Sequence, residues 1–298
     1  MTEASFSAIW INGERMRPDA PHLSARDRGF TLADGLFETM HLFHGTIFRL
    51  DRHLRRLTRG LAALGIPARS ELRDWVLDAV DAAGDVEAGV RLTVTRGPGA
   101  AGVAPPADVR PTVTVTVNPL PAVPPDVYAS GLAAHVASGR RNQHAMTSGL
   151  KTLAYTDAIA AYLEAQRAGA ADAIFLDTDG HCSEATSSNL FALIGGTLVT
   201  PPESCGALPG ITREAVLELA PVLGVQTAER PFALAELVAA DEAFLTSSLR
   251  RIAPLVRVGE RPIGNGRPGD LTRRCADAYL SLVRAECGSR HLSSPDTP

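Results

Sequence analysis

Lysine is almost missing from this chain of 298 residues, because 28 of its 29 basic residues are arginine and only Lys151 is a lysine. Cysteine is scarce as well, and its four residues show neither a CxxC pair nor a Cys/His spacing typical of zinc, which excludes a disulfide framework and predicts no metal site. No apolar run approaches the ~18 residues of a membrane helix. The first residues lack the basic and then apolar order of a signal peptide.

Excess charge of one sign is also absent. The formal net charge is −4, which removes the bulk electrostatic case for binding nucleic acid or an anionic membrane. Hydrophobic residues make up 45% and charged residues 21%, as in ordinary globular proteins, and the length suits about two domains. We therefore expect a cytoplasmic enzyme or binding protein.

Against an arginine background, the single lysine stands out. Arginine is never deprotonated in a protein, whereas a lysine amine can act as a nucleophile, a base or a Schiff-base partner. The alternative is that Lys151 is one codon that escaped a compositional bias. Composition alone leaves both interpretations open.

Strand-rich blocks mixed with helices predict an α+β fold without a regular βαβ repeat. Four prolines within 119–125 can continue neither helix nor sheet, so we place a linker at 118–126. The predicted domains are 1–117 and 127–290, and 291–298 is expected to be a disordered tail. Asp51 is predicted to cap a leucine-striped helix, and 152–168 is predicted to be a long helix.

Three features could bind a phosphate group. In 210–213 a glycine turn opens a helix, whose free N–H groups and Thr212 hydroxyl suit an anion. The segment 246–248 ends a predicted strand in hydroxyl residues, and Arg56 could fork two phosphate oxygens. Each feature also has a purely structural interpretation. The glycine turn would be an ordinary helix cap, segment 246–248 a solvated turn, and Arg56 a surface arginine. Glu184, among small hydroxyl residues, faces either solvent or a pocket.

Pyridoxal 5′-phosphate would use all of these features, because it needs a lysine, phosphate donors and a carboxylate for its pyridine nitrogen. No dinucleotide, Walker or Gly-x-Ser-x-Gly motif competes with this hypothesis.

The order of the motifs supports it, since from about Trp10 to Cys287 the chain resembles the class IV aminotransferases, the fold-type IV pyridoxal-phosphate enzymes. The segments that carry the resemblance are 27–30, 34–38, 52–57, 150–153, 183–191, 207–213 and 245–248. Members include D-amino acid and branched-chain aminotransferases, (R)-amine transaminases and aminodeoxychorismate lyases.

The resemblance implies a role for each matching residue. Lys151 matches the Schiff-base lysine, and Glu184 matches the carboxylate paired with the pyridine nitrogen. Leu208 matches the residue packed on the ring face. The phosphate cup matches Arg56, Gly210, Ile211, Thr212, Ser247 and Ser248.

The family further implies a small N-terminal α/β domain, a larger C-terminal mixed β domain with helices, and a homodimer whose second chain completes the active site. It implies transamination through a Lys151 aldimine and a pyridoxamine phosphate intermediate.

The substrate branch rests on fewer residues. The usual arginine and histidine trap of D-amino acid enzymes falls on Ala101 and Val103 here, so that trap is missing. We predict instead that the substrate carboxylate binds Arg91, Arg28 or Arg250, and that Phe37 lines the substrate site. Arg28 and Arg250 have an alternative role in structural or interface salt bridges.

Segments 37–39, 95–97 and 183–189 resemble the D-amino acid and lyase branches, which favours a D-amino acid transaminase that also takes (R)-primary amines. The alternatives are an aminodeoxychorismate lyase that releases pyruvate and p-aminobenzoate, a branched-chain L-amino acid aminotransferase, and a cofactor-binding protein without turnover. The expected partners are an amino donor and a 2-keto acid.

Overall fold

A computed structural model describes residues 8–17, 19, 22–120 and 125–288. These residues divide into two compact units. The first holds the described residues up to 120 together with Leu150–Ala154 and 282–288. The second holds 125–149 and 155–281. The segment around Lys151 thus returns to the first unit, although the predicted domain boundaries placed it in the second.

The first unit is built on one antiparallel sheet. Its strands and helices are β1 (Ala8–Ile11), β2 (Glu14–Met16), α1 (Arg28–Leu32), β3 (Gly35–Phe43), β4 (Thr46–Ile47), α2 (Leu50–Ala63), α3 (Leu72–Ala83), β5 (Ala88–Thr95) and β6 (Thr112–Pro119). The strand order is β2-β1-β6-β5-β3-β4. Alternate residues of the three central strands are apolar and pack against α2 and α3 in the core of this unit, as the period of two requires.

The second unit carries a larger, mixed sheet. Its elements are α4 (Pro125–Ser130), β7 (Leu132–Arg141), α5 (Thr156–Arg167), β8 (Asp172–Asp177), β9 (Cys182–Ala185), β10 (Asn189–Ile194), β11 (Thr197–Thr200), a 3-10 turn (Glu203–Cys205), α6 (Ile211–Val222), β12 (Gln226–Glu229), α7 (Leu234–Val238), β13 (Glu242–Ser247), β14 (Arg251–Val258), β15 (Arg261–Pro262) and α8 (Asp270–Cys287), the last of which ends among residues of the first unit.

Six strands of this sheet close on themselves. The order β12-β11-β10-β13-β14-β7-β8-β9 is completed by a pairing of β9 with β10, at which Glu184 lies opposite Asn189. Alanines of α5 pack against β7 and β8, where small side chains let helix and sheet approach closely. The mixture of helices and strands in two units confirms the α+β fold class.

Two helix predictions were wrong at the start of the helix. Helix α5 begins at Thr156 rather than at 152, because Thr152 pairs with Leu36 on an edge of β3 that β4 leaves uncovered. Helix α2 begins at Leu50 after Arg49, so Asp51 lies in its first turn and is not the cap.

The predicted linker 118–126 is also too long. Asn118 and Pro119 still belong to β6, and Pro125 begins α4, where a proline needs no N–H partner. The remaining linker residues 121–124 and the predicted tail 291–298 lie outside the described ranges. Within the described ranges, the helices are all too short or too polar to cross a lipid bilayer.

Candidate active site

The only lysine is held by main-chain bonds to the start of β3. The Phe37 N–H donates to the Lys151 carbonyl at 3.0 Å, and the Leu153 N–H donates to the Gly35 carbonyl at 3.0 Å. The Lys151 amine lies 4.5 Å from the centre of the Phe37 ring. The backbone therefore fixes where the amine projects, although the segment belongs to no long strand.

Arg91 meets the same aromatic ring. In the β3–β5 register Phe37 lies opposite Thr93 and Arg91 lies opposite Thr39, so Phe37 and Arg91 are diagonal neighbours on one face of the sheet. The Arg91 guanidinium carbon is 3.7 Å from the ring centre. The sheet thus brings three of the predicted site residues together, the lysine, the phenylalanine and one arginine. We call them the lysine group (Lys151, Phe37, Arg91).

A second cluster lies on the opposite, core-facing side of β3. The Glu38 side chain is fully buried. Its Oε1 accepts from Arg56 Nε at 2.8 Å, and its Oε2 accepts from Arg56 Nη2 at 2.6 Å. His53 Nδ1 lies 2.7 Å from Oε2, on the same face of α2 as Arg56. This Glu38 cluster (Glu38, His53, Arg56) fixes the orientation of the arginine predicted to bind phosphate.

The pKa values of both titratable groups in this cluster, Glu38 and His53, are lowered. Burial would raise the pKa of Glu38, but the charge and hydrogen bonds of Arg56, with the hydrogen bond of His53, outweigh it and lower the pKa to about 2. Burial lowers the pKa of His53, and the opposing contribution of Glu38 is smaller. An ionised Glu38 therefore lies against a permanently charged Arg56.

Glu184 is the centre of a different cluster in the second unit. Its Oε2 accepts from the Leu208 backbone N–H at 2.9 Å and from Asn189 Nδ2 at 3.4 Å, and Arg141 Nη2 lies 3.1 Å from Oε1. Asn189 Nδ2 also donates to the Leu208 carbonyl at 2.8 Å. This Glu184 cluster (Glu184, Asn189, Arg141, Leu208) keeps 13% of the glutamate side chain exposed.

The glycine turn predicted to bind phosphate opens α6. Gly210 is the residue before the helix and provides no side-chain cap for its N–H groups. Any side chain there would collide with Asn189, since a Cβ would lie 1.9 Å from Asn189 Oδ1. Ile211 and Thr212 are the first helical residues and both are buried. The turn therefore presents main-chain donors and a hydroxyl at a helix N-terminus, as an anion site requires.

Three buried hydroxyl groups belong to residues that neighbour the Glu184 cluster along the chain or across the sheet. Thr246 lies opposite Asn189 in the β10–β13 register. Within the described ranges the hydroxyls of Ser183, Ser188 and Thr246 are buried and make no hydrogen bond. Ser247 and Ser248 follow at the end of β13, where the Ser247 hydroxyl accepts the Arg250 N–H at 3.3 Å. Orphaned hydroxyls at this position fit a polar ligand.

Two of the arginines predicted to bind substrate are engaged elsewhere. Arg28 is 3% exposed, donates to Asp34 at 2.8 Å, and binds the carbonyl oxygens of residues 102–104. Arg250 forms a salt bridge with Asp172, which is fully buried. Both contacts match the structural alternative given above, so we carry the carboxylate proposal forward for Arg91 alone.

Four residues of these clusters were not singled out from the sequence. Arg141 follows a stretch without clear periodicity, and only the tertiary structure places it against Glu184. Asn189 stood inside a recognised motif, which was a usable signal. Glu38 and His53 also fall within recognised motifs, yet their pairing with Arg56 depends on how α2 packs against β3.

The chain is similar to known proteins along nearly its full length. It is 30% identical over 281 residues to the D-alanine aminotransferase of Bacillus licheniformis, which covers 93% of this chain and 98% of that protein. Among solved structures, the 4-amino-4-deoxychorismate lyase of Pseudomonas aeruginosa is 35% identical with a TM-score of 0.82, over 93% of this chain and 98% of that one. The branched-chain aminotransferase of Escherichia coli is 28% identical with a TM-score of 0.87, over 95% and 96% of the two chains.

Fold and similarity define the class, an enzyme built like the solved fold-type IV aminotransferases. The family model described as class IV amino-transferase matches residues 35–258, and the chain belongs to that family. Its members use pyridoxal 5′-phosphate, and another similar branched-chain aminotransferase was solved with pyridoxamine 5′-phosphate.

The residues present fit this cofactor. The chain offers one lysine amine against an aromatic ring, a carboxylate that three donors hold in place, and an uncapped helix N-terminus. The orphaned hydroxyls of Ser188 and Thr246 add donors of the kind that a phosphorylated pyridine ring needs.

Proposed function

We propose that this enzyme transfers an amino group between a D-amino acid and a 2-keto acid, and that it also accepts (R)-primary amines. The observation that carries the proposal is the lysine group, in which one aromatic ring contacts both a permanently charged guanidinium and the only lysine amine. An α-amino acid presents a carboxylate and an α-proton on adjacent atoms. A guanidinium and an amine on one ring match that pair.

We assign the cofactor-holding roles to the residues that the family motifs match. When bound, pyridoxal phosphate supplies an aldehyde carbon and an electron sink. The Ile211 and Thr212 N–H groups and the Thr212 hydroxyl hold the phosphate, with Ser247, Ser248 and Arg56 as further donors. Leu208 supports the ring face. Glu38 keeps Arg56 in a single orientation, because a bidentate pair fixes the guanidinium plane.

Lys151 and Glu184 move and hold the protons. The Lys151 amine would act as the general base that takes the proton from the substrate α-carbon and then as the general acid that gives it back. Glu184 holds the proton of the pyridine nitrogen. The Leu208 N–H and Arg141 orient the Glu184 carboxylate, so the ionised group would need no rearrangement to accept the hydrogen bond of a protonated ring nitrogen.

Arg91 anchors the substrate carboxylate in this proposal. Its stacking on Phe37 leaves the plane of the guanidinium set by an aromatic ring, a geometry that arginine favours. The neighbouring residues on this face are Thr39 and Thr93, which are small and partly polar. A face with threonine hydroxyls suits the small side chain of alanine and the polar side chain of glutamate better than the apolar side chain of leucine.

The D-amino acid assignment is supported by segments 37–39, 95–97 and 183–189, which resemble that branch, and by the similarity to D-alanine aminotransferase. A half-reaction screen tests it. The cofactor-loaded enzyme is mixed with D- and L-alanine, D- and L-glutamate, L-leucine or (R)-phenylethylamine, and conversion of the yellow aldehyde form to the aminated cofactor is followed by absorbance. We expect conversion by D-alanine and D-glutamate. Conversion by L-leucine alone would replace the proposal with a branched-chain L-aminotransferase.

A second candidate is aminodeoxychorismate lyase activity, because the solved lyase shares 35% identity with this chain. Release of p-aminobenzoate and pyruvate from aminodeoxychorismate, without any keto-acid acceptor, would identify it. The transaminase proposal expects neither product.

We also propose that the active enzyme is a homodimer, as the family resemblance implies. Light scattering after size-exclusion chromatography is expected to give twice the chain mass of 31.4 kDa, and a monomeric mass would contradict the proposal.

A further inference from the structure

Metal-ligand side chains meet in the second unit at a place that the proposed reaction does not use. Within the described ranges a single group of three such residues has ligand atoms that all lie within 4.8 Å of one another: Asp177, His181 and Cys205. We propose that these three side chains bind one Zn²⁺-like divalent cation, with a water molecule as the fourth ligand.

The ligands come from two separate turns. Asp177 ends β8, and the hairpin that leads to β9 brings back His181, whose carbonyl accepts the Asp177 N–H at 2.8 Å. Cys205 ends the 3-10 turn Glu203–Cys205, and its N–H donates to the Pro202 carbonyl at 3.0 Å. Because 23 residues lie between His181 and Cys205, no zinc spacing is visible along the chain. The fold alone assembles the site.

The carboxylate is already oriented for a ligand role. Asp177 Oδ1 accepts the N–H groups of Asp179 at 3.0 Å and His181 at 2.8 Å. Its other oxygen, Oδ2, lies 3.3 Å from His181 Nδ1. Hydrogen bonds of this kind fix the direction of metal-binding carboxylates in known sites.

Burial and exposure are distributed as a cation site requires. Asp177 is 1% exposed and Cys205 is 2% exposed, so the carboxylate and the thiol are shielded from competing water. The His181 side chain is 40% exposed and gives an ion a way in. A buried carboxylate gains stability when a cation neutralises it.

The set of donor atoms favours zinc over harder cations. Thiolate, imidazole and carboxylate together suit Zn²⁺, whereas Mg²⁺ and Ca²⁺ prefer oxygen ligands. Zinc bonds of about 2.0–2.3 Å place tetrahedral ligand atoms about 3.5 Å apart. A shift of about 1 Å from the present spacing is enough, and the half-exposed His181 side chain can supply it.

Binding would exchange a proton for the metal. When the Zn–S bond forms, the S–H bond breaks and the proton leaves to solvent.

The position of the site gives it a structural consequence. Cys205 lies three residues before Leu208, whose N–H binds Glu184. A metal that joins Cys205 to the β8–β9 turn would therefore hold the start of the segment that carries this main-chain donor.

Zinc binding to the cofactor-loaded enzyme tests the proposal. After chelator dialysis, the enzyme is titrated with Zn²⁺ against a chromogenic chelator, and with Co²⁺ to record visible absorption bands of tetrahedral cobalt. We expect one metal per chain. His181→Ala and Cys205→Ser should each weaken affinity about 100-fold or more, beyond the roughly 10–100-fold effect of losing an outer-shell partner.

Two matched variants control for a loss of zinc affinity that any buried cysteine or any histidine substitution would cause. Cys275→Ser replaces a buried cysteine in α8, and His135→Ala replaces a histidine on β7. Both should bind Zn²⁺ as the parent enzyme does. His181→Ala keeps the test valid if Cys205→Ser fails to fold, since the His181 side chain is half-exposed. Substoichiometric zinc in the parent enzyme, or equal affinity in His181→Ala, would overturn the proposal.

Discussion

The Glu38 cluster in the first unit and the Glu184 cluster in the second both place N–H donors around a glutamate. They differ in how much of the glutamate side chain stays exposed. Glu38 is fully buried, and its oxygens are taken up by Arg56 and His53. Glu184 keeps 13% of its side chain exposed and receives a main-chain donor. The buried Glu38 carboxylate orients the side chains bonded to it, whereas the partly exposed Glu184 carboxylate remains available to a ligand.

Removal of the lysine amine should have the largest effect on turnover. Lys151→Ala should abolish turnover, at least about 10²–10⁴-fold, because no other described side chain of the lysine group can take and return the α-proton. The measurement is the steady-state rate, together with borohydride reduction and peptide mass spectrometry, which should label position 151 in the parent enzyme only. Near-normal turnover in the variant would contradict the assignment.

Glu184→Gln tests whether Glu184 serves activity rather than stability. The amide keeps the shape of the side chain but cannot hold the ring proton as an anion does, so kcat should fall about 10²–10⁴-fold. The thermal unfolding midpoint of the cofactor-free protein should change little, because the paired Arg141 side chain is 29% exposed. A large loss of stability with full kcat would reverse the roles given to the two glutamates.

Glu38→Gln should show the opposite pattern. Loss of the buried charge leaves Arg56 without its counterion, and breaking a buried pair in this way costs about 3–5 kcal/mol. Urea unfolding of the parent and the variant measures this difference. The matched control is Glu71→Gln on the exposed Arg69 pair, which should leave the free energy of unfolding nearly unchanged.

The arginines extend the comparison to the substrate. Arg91→Ala should raise the keto-acid KM about 10–100-fold with a smaller effect on stability, since hydrogen bonds to charged groups contribute about 1.5–3 kcal/mol. Arg250→Ala should chiefly destabilise the fold, because it leaves the buried Asp172 without its partner. Equal KM values for the parent enzyme and Arg91→Ala would remove Arg91 from the substrate site.

The smallest expected effect is acid destabilisation through the Glu38 cluster. The folded-state pKa of His53 is below its ordinary 6.5, so the unfolded chain binds more protons and the free energy of unfolding falls as the pH drops below about 6.5. The Glu38 contribution is complete above its ordinary pKa of 4.5 and is lost between there and about 2. Urea titrations from pH 7 to pH 4 should show the upper step, and His53→Gln should remove it. An unchanged upper step in that variant would assign it to another group.

Periodicity was a good guide where local pattern and burial agree. The leucine-striped helix forms as α2 and the glycine turn at 210–213 opens helix α6, since apolar residues repeat at helical spacing in both. Strand β9 shows no pattern along the sequence, because its four residues are too few to display a period. The start of α5 was misplaced because an alanine-rich helix pattern ran into a segment that pairs with β3 instead.

The candidate site divides in the same way. Lys151, Glu184 and the turn at 207–213 could be singled out because each is a short motif read along the chain. Arg141 could not, because its contact with Glu184 crosses 43 positions and depends on strand order. The cluster of Asp177, His181 and Cys205 was invisible for the same reason, and the spacing of the cysteines pointed away from a metal.

The residue types therefore suggested pyridoxal phosphate chemistry, and the resemblance of the motifs to class IV aminotransferases pointed to the family that the family model confirms. Packing decided that Arg250 pairs with the buried Asp172, that Arg91 lies against the Phe37 ring, and that Glu38 is enclosed. A motif records what a side chain is able to do, whereas its partners come from distant parts of the chain, and only the folded sheets bring them within bonding distance.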